Sequence, residues 1–290
     1  MKIIDHLKGN RAGVSCELFP PKQGTELANA LEIVHTIAEQ KPSFISVTYG
    51  AGGSNVGQAV AIATEVDRCG VPSMAHLTCI NADEQRIETV LGQLKENHID
   101  NVLALRGDLP AGETLKNATY RHASDLTKKI KSFGDFCVGG ACYPEGHPES
   151  ANRDADIENL KHKVEAGVDF LTTQLFFDND MLYSFLYRLQ SAGIHVPVLA
   201  GIMPITNASQ VSRMVDLSNA YIPRKLMAIC DRFRNNPEAM KQAGIAYATD
   251  QIIDLISNGV RGIHIYTMNK PEIAKAIISN VNEIIRATNS

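Results

Sequence analysis

Residues 56–79 read VGQAVAIATEVDRCGVPSMAHLTC, and this stretch contains the structural unit that decides the fold. Its first part, Val56–Cys69, places apolar residues at the spacing of one helix face. Gly70 follows at the position where glycine commonly ends a helix, and Val71-Pro72 then leads into the apolar run Ser73–Cys79. We therefore predict a helix, a short glycine turn and a buried strand in direct succession.

The same unit recurs along the chain. Helical spacing is also found in Glu26–Gln40, Ala82–Asn97 and Ile157–Ala166, and Gly167 and Gly193 stand where a helix would end before a strand. Apolar strands that alternate with helices indicate a parallel sheet covered on both faces. Eight runs are predicted as strands: Val14–Phe19, Phe44–Tyr49, Ser73–Cys79, Asn101–Arg106, Phe136–Tyr143, Phe170–Phe177, Val198–Met203 and Gly262–Thr267.

Eight such units favour an α/β fold of the (β/α)₈ TIM-barrel type, with a doubly wound open sheet as the alternative. The length of 290 residues suits one barrel, so we expect residues 1–290 to form a single domain. The segment between the last two strands, about Ala208 to Asn258, is longer than the other connections. We expect it to hold extra helices.

Composition excludes several classes of function. The formal net charge of −4, from 28 basic and 32 acidic residues, gives no basic excess for nucleic acid. The first ten residues lack the continuous apolar run of a secretory signal, and no segment is apolar enough to cross a membrane. The six cysteines form no C-x-x-C pair, which favours buried, reduced thiols in a cytoplasmic protein without a metal site.

Two carboxylates could reach the C-terminal mouth of the barrel, where barrel enzymes build their active sites. Glu17 lies inside the apolar run of the first strand, on the same face as Ser15 and Phe19. Burial there would raise its pKa and suit a general acid, although a structural partner could equally satisfy it. Asp108 follows the fourth strand, where it could stabilise a developing cation or simply cap a turn.

Other polar residues carry weaker signals. His76 and His147 each have an ordinary structural interpretation, as do Arg106, His162 and Lys163, which could alternatively bind phosphate. The first strand is followed by no G-x-G-x-x-G, and G-x-x-x-x-G-K-[ST] is absent from the sequence. The residues alone therefore indicate a barrel enzyme without choosing among hydride transfer, aldol chemistry and proton abstraction.

The strand-end strings, taken together, resemble the methylenetetrahydrofolate reductase family in its bacterial form. They span nearly the whole chain in the family's order. The strings are Cys16–Lys22 (CELFPPK), Ser46–Gly53 (SVTYGAGG), His76–Cys79 (HLTC), Leu105–Asp108 (LRGD), Tyr143–Pro148 (YPEGHP), Thr173–Asp178 (TQLFFD), Gly201–Pro204 (GIMP) and His264–Asn269 (HIYTMN).

This resemblance implies ping-pong hydride transfer from NADH or NADPH, through non-covalently bound FAD, to 5,10-methylenetetrahydrofolate, giving 5-methyltetrahydrofolate. It places the chain in one-carbon metabolism and methionine biosynthesis, as a homo-oligomer. Glu17 matches the general acid that opens the folate ring, and Asp108 matches the carboxylate that stabilises the resulting cation and tunes the flavin. Residues that match substrate-binding positions are Gln174, Gln210, Met214 and Lys270. Residues that match flavin-binding positions are Thr48, His76, Arg106, Gly107, Asp108, His122, Ala123, Tyr143, His147, Asp156, Asn159, His162 and Lys163.

Three positions depart from the common bacterial pattern: His122 replaces a tyrosine, Met214 a phenylalanine and Lys270 an arginine. These departures put folate and nicotinamide affinity in question more than the reaction. They also leave open an alternative in which a redox partner protein, rather than a nicotinamide, feeds electrons to the chain. A flavin-free lyase or aldolase is a further alternative, but no predicted strand carries a lysine for a Schiff base.

Overall fold

The eight strands close into a parallel barrel in sequence order, as a computed structural model shows. The structure describes residues 1–9, 11–21, 27–48, 56–108, 118–211, 214 and 220–290. The first strand pairs with both the second and the eighth, which confirms the (β/α)₈ prediction and excludes the open sheet. The strands are β1 (Gly13–Leu18), β2 (Ile45–Val47), β3 (Ser73–Thr78), β4 (Asn101–Leu105), β5 (Cys137–Cys142), β6 (Phe170–Thr173), β7 (Val198–Ile202) and β8 (Gly262–Tyr266).

Helices surround the barrel and begin and end much as the sequence predicts. Gly70, Gly167 and Gly193, the three glycines expected to end helices, all have positive φ angles, of 77°, 114° and 76°. The described helices are α1 (Ile3–Leu7), α2 (Leu27–Ala38), α3 (Val56–Arg68), α4 (Glu84–Glu96), α5 (Ala123–Phe133), α6 (Arg153–Glu165), α7 (Asn179–Ser191), α8 (Arg224–Phe233), α9 (Pro237–Ser257) and α10 (Pro271–Asn289). In the described part of the chain, no helix is long and apolar enough to cross a membrane.

The strands are shorter than the apolar runs that predicted them. The clearest case is the sixth run, Phe170–Phe177, of which only Phe170–Thr173 forms β6. Phe176 and Phe177 are still buried, but they pack among the outer helices after the chain has left the sheet. An apolar run marks burial, and burial continues beyond the last residue that pairs with β5.

The short helix α1 was not predicted, and it closes the bottom of the barrel. Its Ile3 and Ile4 are buried among Phe44, Phe170 and other apolar side chains from the N-terminal ends of the strands. The Asn101 side chain fixes the helix, because its carbonyl oxygen accepts a 2.8 Å hydrogen bond from the Ile3 N–H. Only five residues are helical, too few for a periodic sequence signal.

The predicted extra helices are α8 and α9, which follow β7. Helix α9 lies against the loops after β6 and β7: the Tyr247 hydroxyl donates to the Phe177 carbonyl at 2.7 Å, and the Gln251 amide donates to the Phe176 carbonyl at 3.1 Å. Gly244 permits the close approach, since a Cβ there would lie 1.9 Å from the Ile205 carbonyl oxygen. These contacts hold one wall of the C-terminal mouth of the barrel.

Candidate active site

Glu17 and His76 face each other inside the barrel, near the C-terminal ends of β1 and β3. Alternation along β1 turns Glu17 inward, as predicted, and its backbone pairs with Ser46 of β2 and Tyr266 of β8. Glu17 is 8% exposed and His76 is 7% exposed. The His76 Nε2 atom lies 3.6 Å from Glu17 Oε2, too far for a hydrogen bond, and has no hydrogen-bond partner among the described residues.

Burial sets the protonation of this pair. It raises the pKa of Glu17 to about 8 and lowers the pKa of His76 to about 3. Although the distance would allow an ion pair, both shifts oppose charge, and we therefore assign a protonated carboxylic acid and a neutral imidazole at pH 7. A carboxylic acid that still holds its proton near neutrality can act as a general acid.

A polar layer lies beneath Glu17 and His76 in the barrel interior. His264 of β8 sits between two serines, with Nδ1 2.8 Å from Ser15 Oγ and Nε2 3.3 Å from Ser46 Oγ. Its ring stacks on Phe44 at 5.6 Å between centroids, and burial lowers its pKa to about 3. The floor of the site is therefore polar but uncharged. Sequence reasoning did not single out Ser46 or His264, although both are polar residues within apolar strands.

Asp108 and Arg106 come together at the end of β4. Gly107 between them has a φ of 89°, and a Cβ there would lie 2.6 Å from the Ile80 side chain. Arg106 forms a two-pronged ion pair with Glu149, its two terminal nitrogens lying 2.5 and 2.7 Å from the carboxylate oxygens. Asp108 is exposed, and its charge contributes to raising the pKa of Tyr143 after the larger effect of burial. The following loop residues, from Leu109, lie outside the described residues.

The loop after β5 and helix α6 supply the adjoining wall. Tyr143 and His147 meet edge to face with their centroids 4.6 Å apart. The Lys163 side chain is half-buried and donates a 2.7 Å hydrogen bond to the Ala141 carbonyl, and removal from solvent lowers the pKa of its ammonium group. Asp156 is buried and accepts from the Ser150 hydroxyl at 3.0 Å. The structure thus gathers Lys163 and Asp156 around β5, beside Tyr143 and His147.

Other residues matched to the flavin site are spread around it. His162 is exposed on α6 and lies 3.7 Å from Glu158, and Asn159 is exposed on the same helix. Thr48, at the end of β2, is half-buried, and its N–H donates to the Leu18 carbonyl at 2.9 Å. His122 is the N-cap of α5, and Ala123, the first residue of that helix, is buried. His162 and its neighbour Glu158 both lie on the exposed surface of α6.

The four residues matched to substrate binding lie around β6, β7 and β8. The Gln174 side chain accepts a hydrogen bond from the Leu175 N–H at 2.8 Å, immediately after β6. The Gln210 side chain accepts from the N–H groups of Thr206 and Asn207, so its oxygen holds the loop after β7. The Lys270 ammonium donates to the Thr206 hydroxyl at 3.1 Å.

Met214 is buried in an apolar cluster beside these polar groups, together with Leu175, Phe177 and Met203. Asn269, whose role sequence reasoning missed, joins the loop after β8 to that after β1. Its side-chain oxygen accepts from the Phe19 N–H at 2.8 Å, and its amide donates to the Phe19 carbonyl at 2.9 Å. Thr267 adds a 2.6 Å hydrogen bond to the Glu17 carbonyl. These contacts fix the backbone that carries the acid.

Known proteins resemble this chain in fold and in sequence. In solved structures, a Clostridium thermocellum protein of uncharacterised function, described as binding two copies of 5-methyl-5,6,7,8-tetrahydrofolic acid, superposes with a TM-score of 0.67. The alignment covers 98% of this chain and 99% of that protein at 14% identity, a likeness of fold.

Sequence relatives are closer. The chain is 36% identical over 265 residues to the 5,10-methylenetetrahydrofolate reductase of Escherichia coli K12, covering 91% of this chain and 88% of that enzyme. It is 35% identical to methylenetetrahydrofolate reductase (NADH) 1 of Arabidopsis thaliana, covering 98% of this chain but 51% of the plant protein. The family model described as methylenetetrahydrofolate reductase matches residues 2–282. This protein belongs to the methylenetetrahydrofolate reductase family.

Proposed function

We propose that the protein reduces 5,10-methylenetetrahydrofolate to 5-methyltetrahydrofolate, taking electrons from NADH or NADPH through non-covalently bound FAD. The observation that carries the proposal is the buried Glu17, whose raised pKa leaves it protonated at neutral pH in the mouth of a barrel of this family. The family match supports the reaction, and the geometry of the acid supports the way the chain assists it.

The described residues fit a flavin dinucleotide in three respects. The buried His76 Nε2 has no hydrogen-bond partner among the described residues, so it can form a hydrogen bond with a polar atom of the flavin ring. Arg106 and Lys163 bring two cations, which suit the two phosphates of a dinucleotide. The Tyr143–His147 pair offers aromatic surface between them.

When bound there, the flavin would supply the hydride transfer itself, leaving orientation, protonation and charge stabilisation to the protein. We expect Thr48, Gly107, His122, Ala123, Asp156, Asn159 and His162 to complete its binding site.

Glu17 would donate its proton to a nitrogen of the folate imidazolidine ring as the ring carbon–nitrogen bond breaks. That step leaves a cationic iminium on the substrate, and Asp108 at the end of β4 would stabilise the positive charge. The neutral surroundings of Glu17, namely His76, whose pKa of about 3 leaves it uncharged at pH 7, and the Ser15–His264–Ser46 layer, keep the proton on the acid until the folate arrives.

The folate would bind beside the flavin wall, over β6 to β8. Gln174 and Gln210 supply amides, Lys270 supplies a cation for the acidic tail of the folate, and Met214 supplies apolar surface. Gln210 would have to exchange its contacts with the loop after β7 for contacts with substrate, or act by holding that loop.

The barrel closes by pairing β1 with β8, so its strands draw on residues 13–266, which supports one catalytic domain over residues 1–290. We propose that this domain works in the cytoplasm as a homo-oligomer.

An anaerobic absorbance titration of the purified protein tests the proposal. A flavin spectrum that bleaches with NADH or NADPH and returns with methylenetetrahydrofolate is the expected result. A flavin that ignores both nicotinamides but is reoxidised by the folate after chemical reduction would favour the alternative in which a redox partner feeds the enzyme. A protein that gains no flavin on reconstitution would overturn the proposal.

A further inference from the structure

A second cluster of chemically active side chains lies on the outside of the barrel, between α2 and α3. One ring nitrogen of His35, a Glu65 carboxylate oxygen and Cys69 Sγ all lie within 4.8 Å of one another. His35 Nε2 is 2.7 Å from Glu65 Oε1. All six cysteines lie in the described residues, and Cys69 alone is exposed, so the prediction of buried thiols is wrong for this one.

The sequence places the three donors together for simple reasons. Glu65 lies in the last turn of α3 and Cys69 directly follows that helix, so the two are four residues apart in sequence and lie on one side. His35 stands in the last turn of the neighbouring α2. Helices of a (β/α)₈ barrel run opposite to the strands, so their C-terminal ends lie at the face remote from Glu17 and Asp108. The cluster is therefore separate from the candidate active site.

Glu65 forms ion pairs with His35 and Arg68, as in an ordinary surface network, but a third neighbour, Cys69, has no role in such a network. The hydrogen bond from His35, and then that from Arg68 at 3.3 Å, lower the pKa of Glu65, so its carboxylate is charged. The ion-pair network consists of His35, Glu65 and Arg68. Cys69 is not needed for it, yet its sulfur completes a set of nitrogen, oxygen and sulfur donors with access from solvent.

We propose that His35, Glu65 and Cys69 bind one divalent cation of borderline or soft character, such as Zn²⁺, with water as the fourth ligand. Ligand bonds of about 2.0–2.3 Å in a tetrahedron place donor atoms roughly 3.3–3.8 Å apart. His35 and Glu65 are now 2.7 Å apart and no pair of the three donors is more than 4.8 Å apart, so each side chain need move by only about 1 Å. Hard cations such as Mg²⁺ and Ca²⁺ prefer oxygen ligands, and a thiol with an imidazole does not suit them.

A bound cation would join α2 to α3, and so connect the helix after the strand of Glu17 to the helix before the strand of His76. It would take the place that Arg68 now occupies beside Glu65. Because the folded chain alone brings the three donors together, binding would stabilise the folded state.

Thiol labelling of the untagged native protein tests the site directly. Cys69 should react with a water-soluble alkylating reagent while the five buried cysteines do not. Zn²⁺ should slow this reaction, and removal of Zn²⁺ with a chelator should restore it. In competition with a chromophoric chelator, Cys69→Ser should weaken zinc binding by more than roughly tenfold, because even a lost contact behind a ligand costs about 10- to 100-fold.

Matched variants complete the test. His35→Gln should label at the wild-type rate without zinc and lose the protection by zinc, whereas His195→Gln, at another exposed histidine, should keep it. Arg68→Gln should tighten zinc binding, since it removes the competing cation. Equal labelling with and without zinc, or a Cys69→Ser protein that binds zinc as tightly as wild type, would overturn the proposal. Flavin content, measured on the same samples, should be unchanged in every variant.

Discussion

The replacement of Glu17 by Gln tests the role of the buried acid most directly. Glutamine keeps the size and polarity of the side chain but has no proton to transfer. With a pKa of about 8, about 90% of the enzyme holds a protonated Glu17 at pH 7, compared with about 0.3% for a carboxyl group at its ordinary value of 4.5. Burial therefore provides roughly 300 times more acid at neutral pH, and a general acid typically accelerates its step by about 10²–10⁴.

We expect Glu17→Gln to slow the folate half-reaction by about 10²–10⁴ and to change flavin reduction by NADH less than about threefold. Anaerobic stopped-flow absorbance measures the two half-reactions separately on the same protein. In the wild type, the folate half-reaction should slow as the pH rises through about 8, because the acid loses its proton there. The variant should lack that pH dependence.

An equal loss in both half-reactions would refute the assignment, since it would indicate damage to the flavin site rather than loss of a proton donor. A folate half-reaction that keeps its rate and its decline near pH 8 in the variant would refute it as well. Glu283→Gln, at an exposed carboxylate on α10, is the matched control and should behave as wild type.

The same variant makes a prediction for stability. The folded pKa of Glu17 lies above the unfolded value, so between pH 4.5 and about 8 the folded state binds more protons than the unfolded state. Its contribution to stability is therefore complete below pH 4.5 and is lost as the pH rises toward 8. Glu17→Gln should be more stable than wild type at pH 7, by at most about 3 kcal/mol, and nearly equal at pH 4. Urea unfolding at the two pH values measures the difference.

Three further variants probe the charged wall. Asp108→Asn should slow the folate half-reaction by on the order of 10², because it removes the charge opposite the developing cation, and unchanged stopped-flow kinetics would contradict this. Lys163→Met should weaken flavin retention by roughly tenfold or more, as a hydrogen bond to a charged group contributes about 1.5–3 kcal/mol, and full flavin occupancy after dilution would assign Lys163 to structure alone. Glu149→Gln should free Arg106 and tighten flavin binding by up to about fivefold, the range of a partly exposed ion pair. Fluorescence titration of the apoprotein measures it, and weaker binding would show that Glu149 positions Arg106.

The fold could be predicted because each βα unit carries its own local signals. The Val56–Cys79 stretch contains a helical period, a helix-ending glycine and a buried strand, and the structure reproduces all three. Local signals fail to predict strand ends where residues are buried without pairing in the sheet, as at Phe176 and Phe177. They also fail for α1, whose position depends on Phe44 and Phe170 at the far end of the barrel.

In the candidate site as well, local patterns predicted some positions and missed contacts that depend on the fold. Alternation along β1 was enough to place Glu17 inside, because period two is a local property. The contacts of His264 with Ser15 and Ser46 depend on register between strands more than 200 residues apart in sequence, and no local pattern encodes that. The present partner of Gln210, its own loop, likewise follows from the path of the chain after β7 rather than from residue type.

Two parts of the barrel mouth differ in charge: the side chains around Glu17 are neutral, and those around β5 include two cations. Around Glu17, on β1, β3 and β8, the described titratable neighbours include His76, His264 and Tyr266, and burial holds all three neutral at pH 7. Burial is accordingly the cause of the raised pKa of Glu17, with no neighbouring charge needed to explain it. The cations Arg106 and Lys163 stand instead on the side of β4 to β6, where each already has a partner. A cation near Glu17 would pull its proton away, and a neutral wall at β4 to β6 would not hold an anionic cofactor. The barrel can meet both demands because β1, which carries Glu17, lies across the closed circle from β5, around which the two cations stand.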